Sequence, residues 1–126
     1  MSAAILQAVP ATTLDVDFWV DLRERQYVRV LHICRKLGAT ILSQTVVGLD
    51  DETTVNFLYS ITGLRSFDAE WKRALRLRLH GTKVKVLPLA RIITSKEAAG
   101  RPKDLAHLPI LRETARLRSK YRRQTR

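Results

Sequence analysis

Apolar and polar positions change period along this chain, and each change marks an element. In Asp15–Val20, Val16, Phe18 and Val20 alternate with two carboxylates, which predicts a strand with one face in a core. From Glu24 to Leu37 the spacing becomes three and four. Tyr27, Val28, Leu31, Cys34 and Leu37 form an apolar stripe opposite Arg25, Arg29, His32 and Lys36, and Gly38 is a natural helix stop. Thr45–Leu49 and Thr54–Ile61 predict two more strands, separated by Asp50-Asp51-Glu52, whose acids suit a turn. In the second of these strands Asn56 is a polar interruption, with Phe57 and Tyr59 on the other face. Ser2–Ala8 predicts a short helix ending before Pro10, and Phe67–Leu75 a short amphipathic helix using Phe67, Trp71 and Leu75.

A hairpin follows. Arg76–His80 and Lys83–Leu87 alternate strictly, and a turn at Gly81-Thr82 with glycine first suits the II′ type. That turn sets Leu77 opposite Val86 and Leu79 opposite Val84 on a buried face. On the outer face it sets Arg78 opposite Lys85 and His80 opposite Lys83. Like charges directly opposed are unfavourable unless an anion lies close. After Pro88, Leu89–Ala99 predicts a helix stopped by Gly100. Arg101-Pro102-Lys103-Asp104 restarts the chain, Pro109 interrupts it, and Ile110–Tyr121 predicts a last amphipathic helix. This succession fits an α/β (α+β) fold, a small mixed sheet with helices packed on it.

At 126 residues the chain suits one domain, 1–121, with a basic tail at 122–126. Its one cysteine, Cys34, sits on an apolar helix stripe and reads as a core residue. No apolar run approaches the length of a membrane span, and no signal peptide is evident, so a reduced, cytoplasmic protein is expected. The net charge of +11 is unevenly spread. Residues 1–64 hold 5 Lys/Arg against 7 Asp/Glu, a net of −2, whereas residues 65–126 hold 18 against 5, a net of +13. The imbalance points to a polyanionic partner for the second half: RNA, DNA or a nucleoside triphosphate.

The candidate chemistry lies in Asp15-Val16-Asp17. Side chains two apart on a strand share a face, so two carboxylates stand together and repel each other unless a cation intervenes. A hard divalent ion, Mg²⁺, held by oxygen ligands beside a phosphate substrate is the functional expectation; two solvated acids on a strand is the structural one.

Asp15-Val16-Asp17 after a small-residue helix, together with Ser95-Lys96-Glu97-Ala98-Ala99-Gly100-Arg101-Pro102-Lys103-Asp104-Leu105, resembles the bacterial and archaeal nucleotidyltransferase-fold proteins. These include minimal nucleotidyltransferases and members of toxin–antitoxin and abortive-infection systems. The resemblance implies a nucleotidyltransferase-like fold in which Asp15 and Asp17 hold Mg²⁺ and an NMP passes from an NTP to a hydroxyl acceptor. It implies that Lys96, Arg101 and Lys103 bind the triphosphate or neutralise departing pyrophosphate, and that Asp104 orients one of these cations.

Three departures are visible, the last being His107, which stands three after Asp104 at a position often acidic in the family. The family's third carboxylate falls at Asn56, which offers an amide oxygen but no charge. Counting back from Asp15, Met1 takes the second place of the family's Gly-Gly or Gly-Ser phosphate cradle, as in an N-terminally truncated relative, with Ser2 next to it. Three readings follow: an active transferase with a protein, RNA or small-molecule acceptor; a catalytically weak relative that binds a nucleotide or a cognate protein; and a basic nucleic-acid-binding protein on the same scaffold.

Overall fold

The computed structural model of the protein describes residues 1–21 and 24–124. It is a mixed α+β structure whose chain packs as two compact units. One contains Met1–Ser2 and Thr12–Ile61; the other contains Ala3–Ala11 and the chain from Thr62 on.

After α1 (Ser2–Ile5), the first unit runs β1 (Asp15–Trp19), α2 (Glu24–Lys36), β2 (Thr40–Ser43), β3 (Val46–Gly48) and β4 (Thr54–Leu58). The strands form one sheet in the order β1-β4-β3-β2. β1 lies parallel to β4, pairing Asp15 with Thr54 and Asp17 with Asn56, while β4-β3 and β3-β2 are antiparallel. β1 is therefore an edge strand. Ala39, Val47, Val55 and Phe57 form the core, and Val16, Val20, Val30, Leu31, Cys34 and Ile41 pack around them.

Cys34 is thus a core-lining residue, and His32 is exposed, as expected. The stripe of α2 is displaced from the expected one. Tyr27, Val30, Leu31 and Cys34 are its half-buried positions, a run of i, i+3, i+4 and i+7. Val28 is 62% exposed because it lies a further turn-fraction round the helix, and Leu37, 76% exposed, comes after the helix has ended. The side chain of Arg25, expected on the polar face, is outside the described ones.

Three strand expectations change, the first being that β4 ends at Leu58, three residues short of Ile61. β2 is a strand that its short, mixed sequence does not announce, and it carries a bulge where Leu42 is the extra residue between the Ile41 and Ser43 pairings. Thr45 belongs to the β2–β3 turn, where its N–H is held by Ser43 Oγ. The acidic turn is as expected: hydrogen bonds from Thr53, first from its side chain and then from its N–H to Asp51 Oδ1, lower the Asp51 pKa.

The second unit holds α3 (Phe67–Arg73), the hairpin β5 (Leu75–Leu79) and β6 (Thr82–Val86), α4 (Leu89–Ala99) and α5 (Pro102–Gln124). Ser66 caps α3 by accepting from the Ala69 N–H. That helix stops at Arg73, because Ala74 turns extended and Leu75 is taken into the hairpin opposite Val86.

The hairpin turn is His80-Gly81 rather than Gly81-Thr82. Both turn residues have positive φ, 48° and 79°, the geometry of a type I′ turn, which matches strand twist. The pairing consequently slips by two residues. Leu77 faces Val84 and Leu75 faces Val86, while Arg78 faces Lys83 and Arg76 faces Lys85. A slip of two preserves side-chain parity, so apolar still meets apolar and cation still meets cation.

α4 has the expected bounds and ends on Gly100 in the left-handed conformation. α5 begins at Pro102 and runs unbroken through Pro109, so the interruption expected there does not occur. Proline removes one backbone donor, but Leu108 and Leu111 on either side of it are buried and α5 packs along α4. Residues 122–124 form the last turn of α5; Thr125 and Arg126 of the expected basic tail lie outside the described residues.

Candidate functional site

β1 places Asp15 and Asp17 on the exposed side of the sheet while Val16 goes to the core. Its parallel register with β4 sets Asn56 beside Asp17, and Asn56 Nδ2 donates to Asp17 Oδ1 at 2.9 Å. The amide thus meets the carboxylate with its donor end, so Asn56 positions Asp17 rather than adding a third negative group. Ser2 belongs to the same unit. Its hydroxyl donates to the Asp15 carbonyl at 3.0 Å, which ties the residue to the start of β1. Thr13 Oγ1 also donates to that carbonyl and accepts the Asp15 N–H, fixing the strand's first residue.

Among the described residues, no three His, Cys, Asp or Glu side chains come together as a metal cluster. What β1 offers instead is a pair of carboxylates with a steering amide. That donor set suits a hard cation that keeps water and substrate phosphates among its ligands.

The second unit assembles the other expected residues at the α4–α5 junction. Asp104 is fully buried and accepts from Lys96 Nζ at 3.3 Å, from Arg101 Nε at 2.7 Å and from the Arg101 backbone N–H at 3.2 Å. The Arg101 hydrogen bond comes first, and Lys96 adds to it, in holding the Asp104 carboxyl at about 2 against burial that pushes the other way. Asp104 therefore orients two cations, not one. The Lys96 side chain is 13% exposed, whereas that of Arg101 is 66% exposed. Lys103 is exposed.

One turn on, His107 has a buried Nδ1 with no hydrogen-bond partner among the described residues. Burial first, then the positive charge of Lys96, pushes the His107 pKa below its ordinary value.

Two buried polar groups of the second unit carry no motif in the sequence. Glu70, 2% exposed, receives both Arg91 Nε at 3.0 Å and Arg91 Nη2, and this fork lowers its pKa. Its place in a short amphipathic helix reads as solvent-facing, and only the partner on α4 explains the burial. Gln7 donates to the Leu87 carbonyl and accepts the Leu89 N–H, supplying the α4 N-terminus with the cap that Pro88 lacks.

Among the described residues, no helix is long and apolar enough to cross a membrane. No known protein family, curated protein or solved structure matches this chain.

Proposed function

We propose that the protein is a nucleotidyltransferase-type, Mg²⁺-dependent NTP-binding protein that transfers an NMP to a hydroxyl acceptor. The observation that carries the reading is the exposed Asp15 and Asp17 pair on one strand, with Asp17 fastened by Asn56. The sequence resemblance from Asp15 to Leu105 supports it.

Asp15 and Asp17 would hold Mg²⁺, which supplies neutralisation of triphosphate charge and a lowered pKa for the acceptor hydroxyl. The Asn56 amide occupies Asp17 Oδ1 and leaves the other oxygen of that carboxylate open. Ser2, whose hydroxyl is tied to the Asp15 carbonyl at the start of the carboxylate strand, is assigned to phosphate contact. In the second unit, Arg101 and Lys103 are exposed cations of the motif, and the sequence resemblance supports a phosphate-binding role for them. Lys96 and Asp104 set the Arg101 head. In the transfer, the acceptor oxygen bonds to the α-phosphorus, the bond to the β-phosphate breaks, pyrophosphate leaves, and the hydroxyl proton goes to solvent.

A second reading, a catalytically weak relative that binds a nucleotide or a cognate protein as in a toxin–antitoxin pair, is favoured by Asn56 itself. An amide adds no negative charge and no proton acceptor for the hydroxyl. Incubating the protein with each α-labelled NTP, Mg²⁺ and cell extract separates the two readings. Label transferred by wild type and lost in Asp15→Ala/Asp17→Ala supports the transferase. Transfer that survives loss of both aspartates overturns it. Retained Mg²⁺-dependent NTP binding with no transfer, by wild type and Asn56→Asp alike, identifies the binding protein.

A further inference from the structure

The β5–β6 hairpin gathers four cations on one face. Its I′ register opposes Arg78 to Lys83 and Arg76 to Lys85 on one face, while Leu77, Val84 and Val86 occupy the other. In a hairpin closed by a two-residue turn, these cation pairs fall at the non-hydrogen-bonded positions, where facing side chains are closest. Arg76, Arg78 and Lys83 are exposed. Lys85 is held over the Trp71 ring, 3.9 Å from its centroid, and donates to the Trp71 carbonyl, so its charge is fixed in place.

Among the described residues no ion pair neutralises this face, and of the unit's carboxylates only Asp68, on α3, is not already paired. The other four are spent elsewhere: Glu70 on Arg91, Glu97 on Arg112, Asp104 on Lys96 and Arg101, and Glu113 on Arg116. Among the described residues no ion pair involves Arg76, Arg78 or Lys83. Lys72 and Arg73, exposed at the end of α3, continue the cations directly into β5.

We infer that this face of the hairpin binds a single nucleic-acid strand through its sugar–phosphate backbone. The array is two cations wide, with paired backbones about 4.5–5.5 Å apart, which suits one phosphodiester chain better than the two backbones flanking a major groove about 12 Å wide. Successive cations along a strand are about 7 Å apart, two residues of extended chain. Trp71 has Phe67 stacked on it at 5.5 Å and Lys85 over its ring, so it orients a cation instead of stacking a base. Recognition by charge alone makes binding independent of sequence and steeply dependent on salt. Strand binding by the hairpin does not require the aspartate pair, which serves transfer.

The test is fluorescence anisotropy of labelled single-stranded RNA and DNA 20-mers, and of the matching duplex, with the full chain across a salt series. Both single strands should bind at 50 mM salt, more tightly than the duplex. Arg76→Gln/Arg78→Gln/Lys83→Gln should weaken binding at least tenfold and flatten the log–log salt slope by about 2, at roughly 0.7 for each phosphate no longer neutralised. Arg29→Gln/Arg35→Gln/Lys36→Gln, which removes the same charge from exposed positions of α2, should leave that slope unchanged.

Should the hairpin variant not fold, amide shifts of the wild type on adding the RNA decide the matter, and should concentrate in residues 72–86. Three results overturn the inference: no binding at 50 mM salt, equal weakening by both triple variants, or a duplex bound at least as tightly as the single strand.

Discussion

Asn56 is one amide that decides how two acids behave. Its Nδ2 compensates Asp17, so the carboxylate pair stands without a third charge beside it. Asn56→Asp replaces that donor with a repelling carboxylate. Without divalent ions it should lower stability by roughly 1 kcal/mol, the worth of a lost hydrogen bond plus like-charge repulsion. Millimolar Mg²⁺ should restore most of the loss and raise the melting temperature more than in wild type. A thermal melt with and without Mg²⁺ checks this; a variant as stable as wild type without metal would contradict the geometry.

Asp104 makes the second residue-scale prediction. Its folded pKa of about 2 lies below the unfolded value, so its ionised form stabilises the fold above about pH 4, and that contribution is lost as the pH falls towards 2. Asp104→Asn should therefore cost stability at pH 7, roughly 2 kcal/mol with Lys96 left nearly buried and unpaired, and flatten the acid limb of the stability profile. Denaturant midpoints at pH 7 and below pH 4 measure both effects.

Among the elements, two glycines separate backbone strain from packing. Gly81 has φ +79° in the hairpin turn and open space around an added Cβ, whereas Gly63 has φ +81° and an added Cβ would meet the Ala98 Cβ at 2.5 Å. Gly81→Ala should cost only the left-handed backbone term, about 1–2 kcal/mol. Gly63→Ala adds a clash with α4 to the same term and should cost more, and Ala98→Gly should recover part of the excess. Urea midpoints of the three variants test the split.

Elements with a strong period were legible in the sequence: β1 by its alternation as far as Asp17 (Phe18, expected in the core, is 51% exposed), α2 and α4 by their glycine stops, and the hairpin by its parity. Its register was not, because His80 tolerates positive φ and a His-Gly turn closes as I′, while a glycine-first reading points to II′. Pro109 predicts a break on local grounds, and the burial of Leu108 and Leu111 overrides it. β2 is four residues long and bulged, too short and irregular for any period to register.

Across the whole molecule, the charge follows the packing. The unit with the aspartate strand carries a net of −2 and the unit with α3, the hairpin, α4 and α5 a net of +13. The expected acidic and basic site residues accordingly fall in different units: Ser2, Asp15, Asp17 and Asn56 in one, and Lys96, Arg101, Lys103 and Asp104 in the other. Each motif was legible as a spacing. What spacing does not carry is how donors are spent: Asn56 turning its NH₂ to Asp17, Asp104 holding two cations, and Glu70 buried on Arg91 are facts of tertiary pairing.

Asp15 and Asp17 are either metal ligands or acids that merely guard an edge strand, and the proposed function rests on the first. Calorimetric titration of the full chain with a non-hydrolysable NTP, with and without Mg²⁺, for wild type and Asp15→Asn/Asp17→Asn, decides between them. The metal reading predicts NTP binding that requires Mg²⁺ in wild type and weakens at least tenfold in the double variant, whose melting temperature stays within a few degrees of wild type. NTP affinity that is the same with and without Mg²⁺, and the same in both proteins, would contradict it.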